Sequence, residues 1–237
     1  MSHVPAPVSR AASLKACLFD LDGVIIDTAR YHYLAWKEIA RELGFAFTEE
    51  DNERLKGVSR VRSLEILLEV GGITLDDATK ARLAEKKNGR YLEYVLKMAP
   101  EEILPGAKDF LVDCRRDGLK TGLVSASKNA ATVLNHLQIR ALFDAIIDGN
   151  AVAKTKPATD GFLACAHLIG VTPQCCAVFE DAEVGIEAAR AAGMFSVGIG
   201  DAKRLNNANF VVSGLKVLSL DALRARWTAA SDRRASR

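Results

Sequence analysis

No apolar run in the 237-residue sequence approaches the roughly 20 residues that span a bilayer, and residues 1–13, broken by Pro5 and Pro7, hold no block of signal-peptide length. An excess of one charge is also missing. Lys+Arg 32 against Asp+Glu 30 leaves +2, too balanced for a protein that coats nucleic acid. What basic bias exists lies at the C-terminus, where Arg224, Arg226, Arg233, Arg234 and Arg237 face only Asp232. The cysteines Cys17, Cys114, Cys165, Cys175 and Cys176 are odd in number and form no C-x-x-C pair, which excludes a disulfide framework and a cysteine zinc site. His136 and His167 lack ligand partners at useful spacing. Nucleotide loops are absent too. Lys154 stands where the second glycine of a phosphate loop would be in residues 149–155, and Lys203 stands where a third glycine should follow Gly198 and Gly200. No repeat or low-complexity segment occurs. With 49% hydrophobic and 26% charged residues, a cytoplasmic globular enzyme is expected, monomeric by default, with neither nucleic acid nor membrane as partner.

What is present alternates. Short apolar runs at residues 14–22, 120–127, 145–149, 176–181, 195–200 and 210–212 are separated by helical stretches at 107–116, 129–137, 158–169, 182–192 and 220–227. Uninterrupted apolar strands between helices predict a doubly wound parallel sheet covered on both faces. Residues 29–98 break the rhythm with amphipathic stretches at 31–43, 61–70 and 78–96 and no strand-like run. They are expected to be an inserted all-helical domain. The α/β core then comprises 14–28 and 99–229, with flexible tails at 1–13 and 230–237.

Chemistry concentrates where strands end. Asp20 and Asp22 close the first run, at positions where aspartate is depleted and a buried carboxylate is costly without a cation or hydrogen bonds. Alone, D-x-D-G reads equally well as a polar turn. Ser125 closes the second run, Lys156 follows the third, and Glu180 and Asp181 close the fourth. Carboxyl ends of parallel strands share one sheet edge, so these six side chains should converge. Four carboxylates near one lysine repel one another without a divalent ion, and an all-oxygen set suits Mg²⁺. Such a cluster can hold a phosphoryl group, with one aspartate attacking phosphorus and a second handling the proton.

These motifs, DLDGV, Ser125, Lys156-Pro157 and Glu180-Asp181 followed by Gly185, resemble the haloacid dehalogenase superfamily of phosphotransferases. Within it the chain is similar to the β-phosphoglucomutases from about Lys15 to the last helix. That likeness rests on residues 19–36 (FDLDGVIIDTARYHYLAW), 55–60 (LKGVSR), 86–88 (KKN), 125–129 (SASKN) and 155–162 (TKPATDGF). The resemblance implies a Mg²⁺-dependent isomerase that interconverts β-glucose 1-phosphate and glucose 6-phosphate. It would act through an aspartyl-phosphate, with β-glucose 1,6-bisphosphate as activating intermediate. It also implies that Asp20 is the nucleophile and Asp22 the acid/base, with Mg²⁺ held by Asp20, the Asp22 carbonyl and Asp181, Glu180 close by. Ser125 and Lys156 would balance the phosphoryl charge, and Ala126 and Asn129 would fix the substrate.

On the same footing, the helical insertion becomes a cap. Arg60 would grip the non-reacting phosphate with its two-pronged guanidinium. Thr28, His32 and Lys87 would position Asp22 on closure, and Trp36 and Gly57 would line the sugar site. Taken singly, Arg60 reads as solvent-facing, His32 as structural and Trp36 as core packing; Lys56 and Lys86 are expected to be solvated. Two rival functions remain: a sugar-phosphate phosphatase of the same fold, and a non-catalytic sugar-phosphate binder, against which the intact Asp20, Asp22, Lys156 and Asp181 argue.

Overall fold

Strands form where the sequence is apolar on both faces. In the computed structural model, which describes residues 13–55, 58–152 and 154–235, these runs are β1 (Ala16–Phe19), β2 (Lys120–Val124), β3 (Ala145–Ile147), β4 (Cys176–Glu180), β5 (Phe195–Ile199) and β6 (Phe210–Val212). All pair in parallel, in the order β3-β2-β1-β4-β5-β6. The chain builds outward from β1 to β3 on one side, then returns beside β1 and builds the other way. That reversal opens a crevice at the carboxyl ends of β1, β2 and β4.

Between β1 and β2 the chain runs through α1 (Ala29–Glu42), α2 (Glu49–Glu53), α3 (Arg60–Gly71) and α4 (Asp77–Val95). Each of the last three begins on an oxygen-bearing cap. Thr48 and Asp51 form a reciprocal capping box on α2, Ser59 accepts from Arg62 N at 3.3 Å, and Asp76 accepts from Thr79 N at 2.8 Å. Trp36, Ile39, Leu64, Leu67 and Leu68 give this insertion its own apolar cluster. Its two connections to the sheet lie side by side: Ile26 bridges Ile103, and Leu104 N donates to Ile25 O at 2.9 Å.

Alternation along the strands sends side chains to opposite faces. Cys17, Phe19, Leu123 and Phe179 pack under α5 (Ala107–Arg116) and α6 (Ala130–His136), while Leu18, Val124 and Val178 pack under α7 (Asp160–Leu168) and α8 (Glu183–Ala191). Phe19 and Phe179 stack with centroids 4.6 Å apart. All five cysteines are free, and burial pushes Cys165 and Cys176 up to about 12, so they act as packing groups. No helix among the described residues is long and apolar enough to cross a membrane.

Two expectations change. The last helix, α9 (Leu220–Ala235), runs through much of the segment expected to be a flexible tail from residue 230. Arginine and alanine are strong helix formers there, and Thr228 and Ser231 bond back to the Arg224 and Trp227 carbonyls at 3.0 and 3.1 Å. The helix α2 was not expected at all, since it buries no residue and carries no apolar stripe. Gly57, Lys56, Arg237 and residues 1–12 lie outside the described residues.

Candidate active site

The ends of β1, β2, β3 and β4 supply the groups that line the crevice. Just past β1, the Asp20 amide donates to the Phe179 carbonyl at 3.0 Å, which ties the carboxylate to the end of β4. The chain then turns tightly, with Gly23 N donating to Ile26 O at 2.8 Å. Gly23 has φ +74°, and a Cβ there would overlap the Asp181 carboxylate, so glycine is required twice over. Past β2, Ser125 N donates to Ile147 O at 2.9 Å, and the Ser125 hydroxyl accepts from Ser127 N at 3.1 Å. Asn129 is the N-cap position of α6. Glu180 ends β4, and Gly185 on α8 leaves room for its carboxylate, which a Cβ would overlap.

Lys156 binds these ends together. Its Nζ lies 2.5 Å from Asp20 Oδ1 and 3.0 Å from the Val124 carbonyl, and it is ion-paired with Glu180; its side chain is 6% exposed. Burial works against the ammonium, but Asp20 and Glu180 outweigh it and hold Lys156 above the usual lysine range. Asp20, Glu180 and Asp181 each offer a carboxylate oxygen within 4.8 Å of the others. Three hard oxygen donors with space preserved by Gly23 fit a divalent cation of the magnesium type.

The helical cap faces this cluster across a cavity of about 340 Å³. All six strand-end residues line it, as do His32, Trp36, Arg60, Lys87, Ala126 and Asn129. Thr28, fully buried, donates its hydroxyl to Asp22 Oδ1. Burial, with Asp20 adding to it, pushes the Asp22 carboxyl up to about 7 despite that bond. Lys87 Nζ lies 2.6 Å from His32 Nδ1, with the Trp36 ring 4.9 Å away. Burial lowers both: Lys87 to about 7, and His32 well below its ordinary value. Trp36 both lines the cavity and packs in the cap's apolar cluster. Arg60 is not solvent-facing. Its side chain is 16% exposed, Nη1 bonds Glu85 and Nη2 bonds Asn88 Oδ1, both at 2.8 Å. Lys86 is as expected, half exposed and paired with Glu42 at 2.7 Å.

The sequence left several cavity groups without a role. Asn88 joins cap to core, its Oδ1 accepting from Arg60 and, at 2.7 Å, from Asn129 Nδ2. Asn52, Ser63, Ser127 and Lys128 also line the cavity. Tyr91 sits behind it, and its hydroxyl donates to Thr28 Oγ1 at 3.3 Å. Asn88, Ser127 and Lys128 lie within the segments 86–88 and 125–129 that carry the resemblance, but without a role there; for Tyr91 the one signal is its place one helical turn after Lys87.

The haloacid dehalogenase-like hydrolase model matches residues 14–193. The chain belongs to this family. It is 44% identical over 216 residues to the beta-phosphoglucomutase of Bacillus subtilis (strain 168), covering 90% of this chain and 96% of that one. It is 35% identical over 182 residues to the fructose-1-phosphate phosphatase of Escherichia coli (strain K12), covering 77% and 94%. A crystal structure of beta-phosphoglucomutase from Clostridium difficile superposes with a TM-score of 0.88 at 41% identity, covering 92% of this chain and 98% of that chain. Family membership accounts for the parallel sheet and its inserted cap.

Proposed function

We propose that this chain interconverts β-D-glucose 1-phosphate and D-glucose 6-phosphate, the activity for which its 44% and 41% identical relatives are named. The observation that carries the reading is one cavity that meets a cation on its core side and an arginine on its cap side. Lys156 stands beside the acidic cluster in the core, and Arg60 projects from the cap beside Asn88 and Asn129. A phosphatase needs only the first; a bisphosphorylated sugar would occupy both.

In this reading Asp20 attacks phosphorus and carries the phosphoryl group, while Asp22 gives a proton to the leaving oxygen and takes one from the attacking hydroxyl. A carboxyl pushed to about 7 suits both directions near neutral pH. Lys156 and Ser125 hold charge on the group in transfer. Mg²⁺ would be held by Asp20, Asp181 and the Asp22 carbonyl with Glu180 behind, and would neutralise phosphoryl oxygens. Arg60, Asn129 and Ala126 grip the second phosphate end, and Trp36 and His32 line the sugar site. We take 29–98 to move as one cap on the core of 14–28 and 99–229, excluding water from the aspartyl-phosphate. β-Glucose 1,6-bisphosphate is then the intermediate that turns over inside the closed site, and the enzyme works as a cytoplasmic monomer.

The test is a coupled assay for glucose 6-phosphate on both glucose 1-phosphate anomers, primed with a trace of bisphosphate. Isomer formation from the β anomer supports the proposal; fast phosphate release without isomer selects the phosphatase. Asp20→Asn should abolish phosphoenzyme formation with the fold intact. Retained turnover would remove Asp20 as nucleophile.

A further inference from the structure

Tyr91 is 0% exposed and lies on α4 of the cap, 63 residues from Thr28 in sequence. Its ring has obvious packing work. It stacks on His32 with centroids 4.0 Å apart, and Lys87 Nζ sits 5.0 Å from its centroid. Phenylalanine would serve for all of that. A buried hydroxyl is costly unless it is used, and this one donates to Thr28 Oγ1 while Thr28 in turn donates to Asp22. The Ser127 side chain of the core meets the same hydroxyl. Burial keeps the phenol well above its ordinary range, so it stays a donor. Since a hydroxyl has one proton, accepting from Tyr91 leaves the Thr28 proton directed at the carboxylate.

We infer that the Tyr91 hydroxyl is a positioning group that, through Thr28, orients the Asp22 carboxyl for a sugar hydroxyl only while α4 of the cap is docked on the core. This rests on the mutase reading above. In the step concerned, the sugar oxygen forms a bond to phosphorus and its proton passes to Asp22. The bond from phosphorus to Asp20 breaks, and Asp20 returns to a carboxylate. Sugar attack needs Asp22 at one defined place, whereas water, small and mobile, is less demanding. Losing the Tyr91 hydroxyl should therefore shift the choice of acceptor.

The experiment compares full-length wild type with Tyr91→Phe. Acetyl phosphate loads Asp20, and its good leaving group needs no acid. The loaded enzyme is then mixed with β-glucose 1-phosphate, and bisphosphate and free phosphate are counted in a single turnover. Loading should stay within about twofold, hydrolysis should be unchanged, and transfer to sugar should fall about tenfold. Thr28→Val, which removes the bond to Asp22 itself, should lower transfer to sugar at least as far, with the double variant no worse than Thr28→Val alone. An unshifted partition in Tyr91→Phe overturns the inference. So does an equal fall of sugar and water transfer, which marks general damage. Wild type that releases phosphate and forms no glucose 6-phosphate overturns the mutase reading and this inference together, whereas normal isomerisation with an unshifted variant overturns the inference alone.

Discussion

Lys156 and Lys87 line one cavity from opposite sides, the first from the core and the second from the cap. Both are buried, yet their surroundings push them apart. Lys156 sits against Asp20 and Glu180, and these anions hold its charge above the usual range in spite of burial. Burial of Lys87 among His32, Trp36 and Tyr91, with Arg60 adding repulsion and only Asp22 pulling the other way, lowers it to about 7. The core lysine is a fixed counter-ion. The cap lysine is a charge that its protein surroundings scarcely support and that a phosphate beside it would favour.

The strongest way to break that comparison is Lys156→Met. It leaves two buried carboxylates facing each other without their cation, which costs about 3–5 kcal/mol. Urea unfolding should show a clearly lowered midpoint, and phosphoenzyme formation should vanish. A variant as stable as wild type would mean that the ion pairs at Asp20 and Glu180 hold nothing together.

Lys87→Met should do the reverse. The folded value of about 7 lies below lysine's 10.5. Between those values the unfolded chain binds the proton and the folded chain does not, so wild-type stability rises with pH there; below about 7 the full penalty is present. His32, Arg60, Tyr91 and Asp22 face the same group. The rise attributable to Lys87 between pH 7 and 9 is on the order of 2 kcal/mol. Unfolding midpoints at pH 6.5 and 9 should differ less in Lys87→Met than in wild type, and at pH 6.5 the variant should be at least as stable. Isomerase activity should nevertheless fall. A variant destabilised equally at both values would show that Lys87 is charged throughout and paired within the protein.

The core half of this contrast was legible in the sequence and the cap half was not. A carboxylate closing an apolar run is unusual enough to be read locally, and four strand ends must share an edge, so Asp20, Asp22, Ser125, Lys156, Glu180 and Asp181 could be assembled before any coordinates. Cap residues have no such geometric guarantee. Arg60, His32 and Lys87 came from resemblance alone, because an arginine or histidine on an amphipathic helix usually faces water or packs. Tyr91 stayed hidden for the same reason, and Asn88, though inside the segment 86–88, had no role to read. An aromatic at helical spacing reads as core, and only docking of α4 against Thr28 and Asn129 gives its polar atoms a purpose. The helix α2 escaped because its four-residue capping box, Thr48 to Asp51, carries no apolar periodicity.

The mildest test sharpens the contrast from outside the cavity. Arg204, in the loop after β5, lies 3.7 Å from Glu53 on α2, with side chains 49% and 51% exposed. Like Asn88 with Asn129, the pair spans cap and core, but in water rather than in a closed site. A half-exposed ion pair is worth about 0–1 kcal/mol and is screened within a Debye length of about 8 Å at physiological salt. Arg204→Gln should therefore move the unfolding midpoint little. It should raise KM for β-glucose 1-phosphate by less than about twofold at low salt, and leave it unchanged at 0.5 M salt, on the order of a 4 Å Debye length. If KM instead rises tenfold and stays raised in salt, cap closure is being held at the surface, and the buried cap groups lose their claim to govern it.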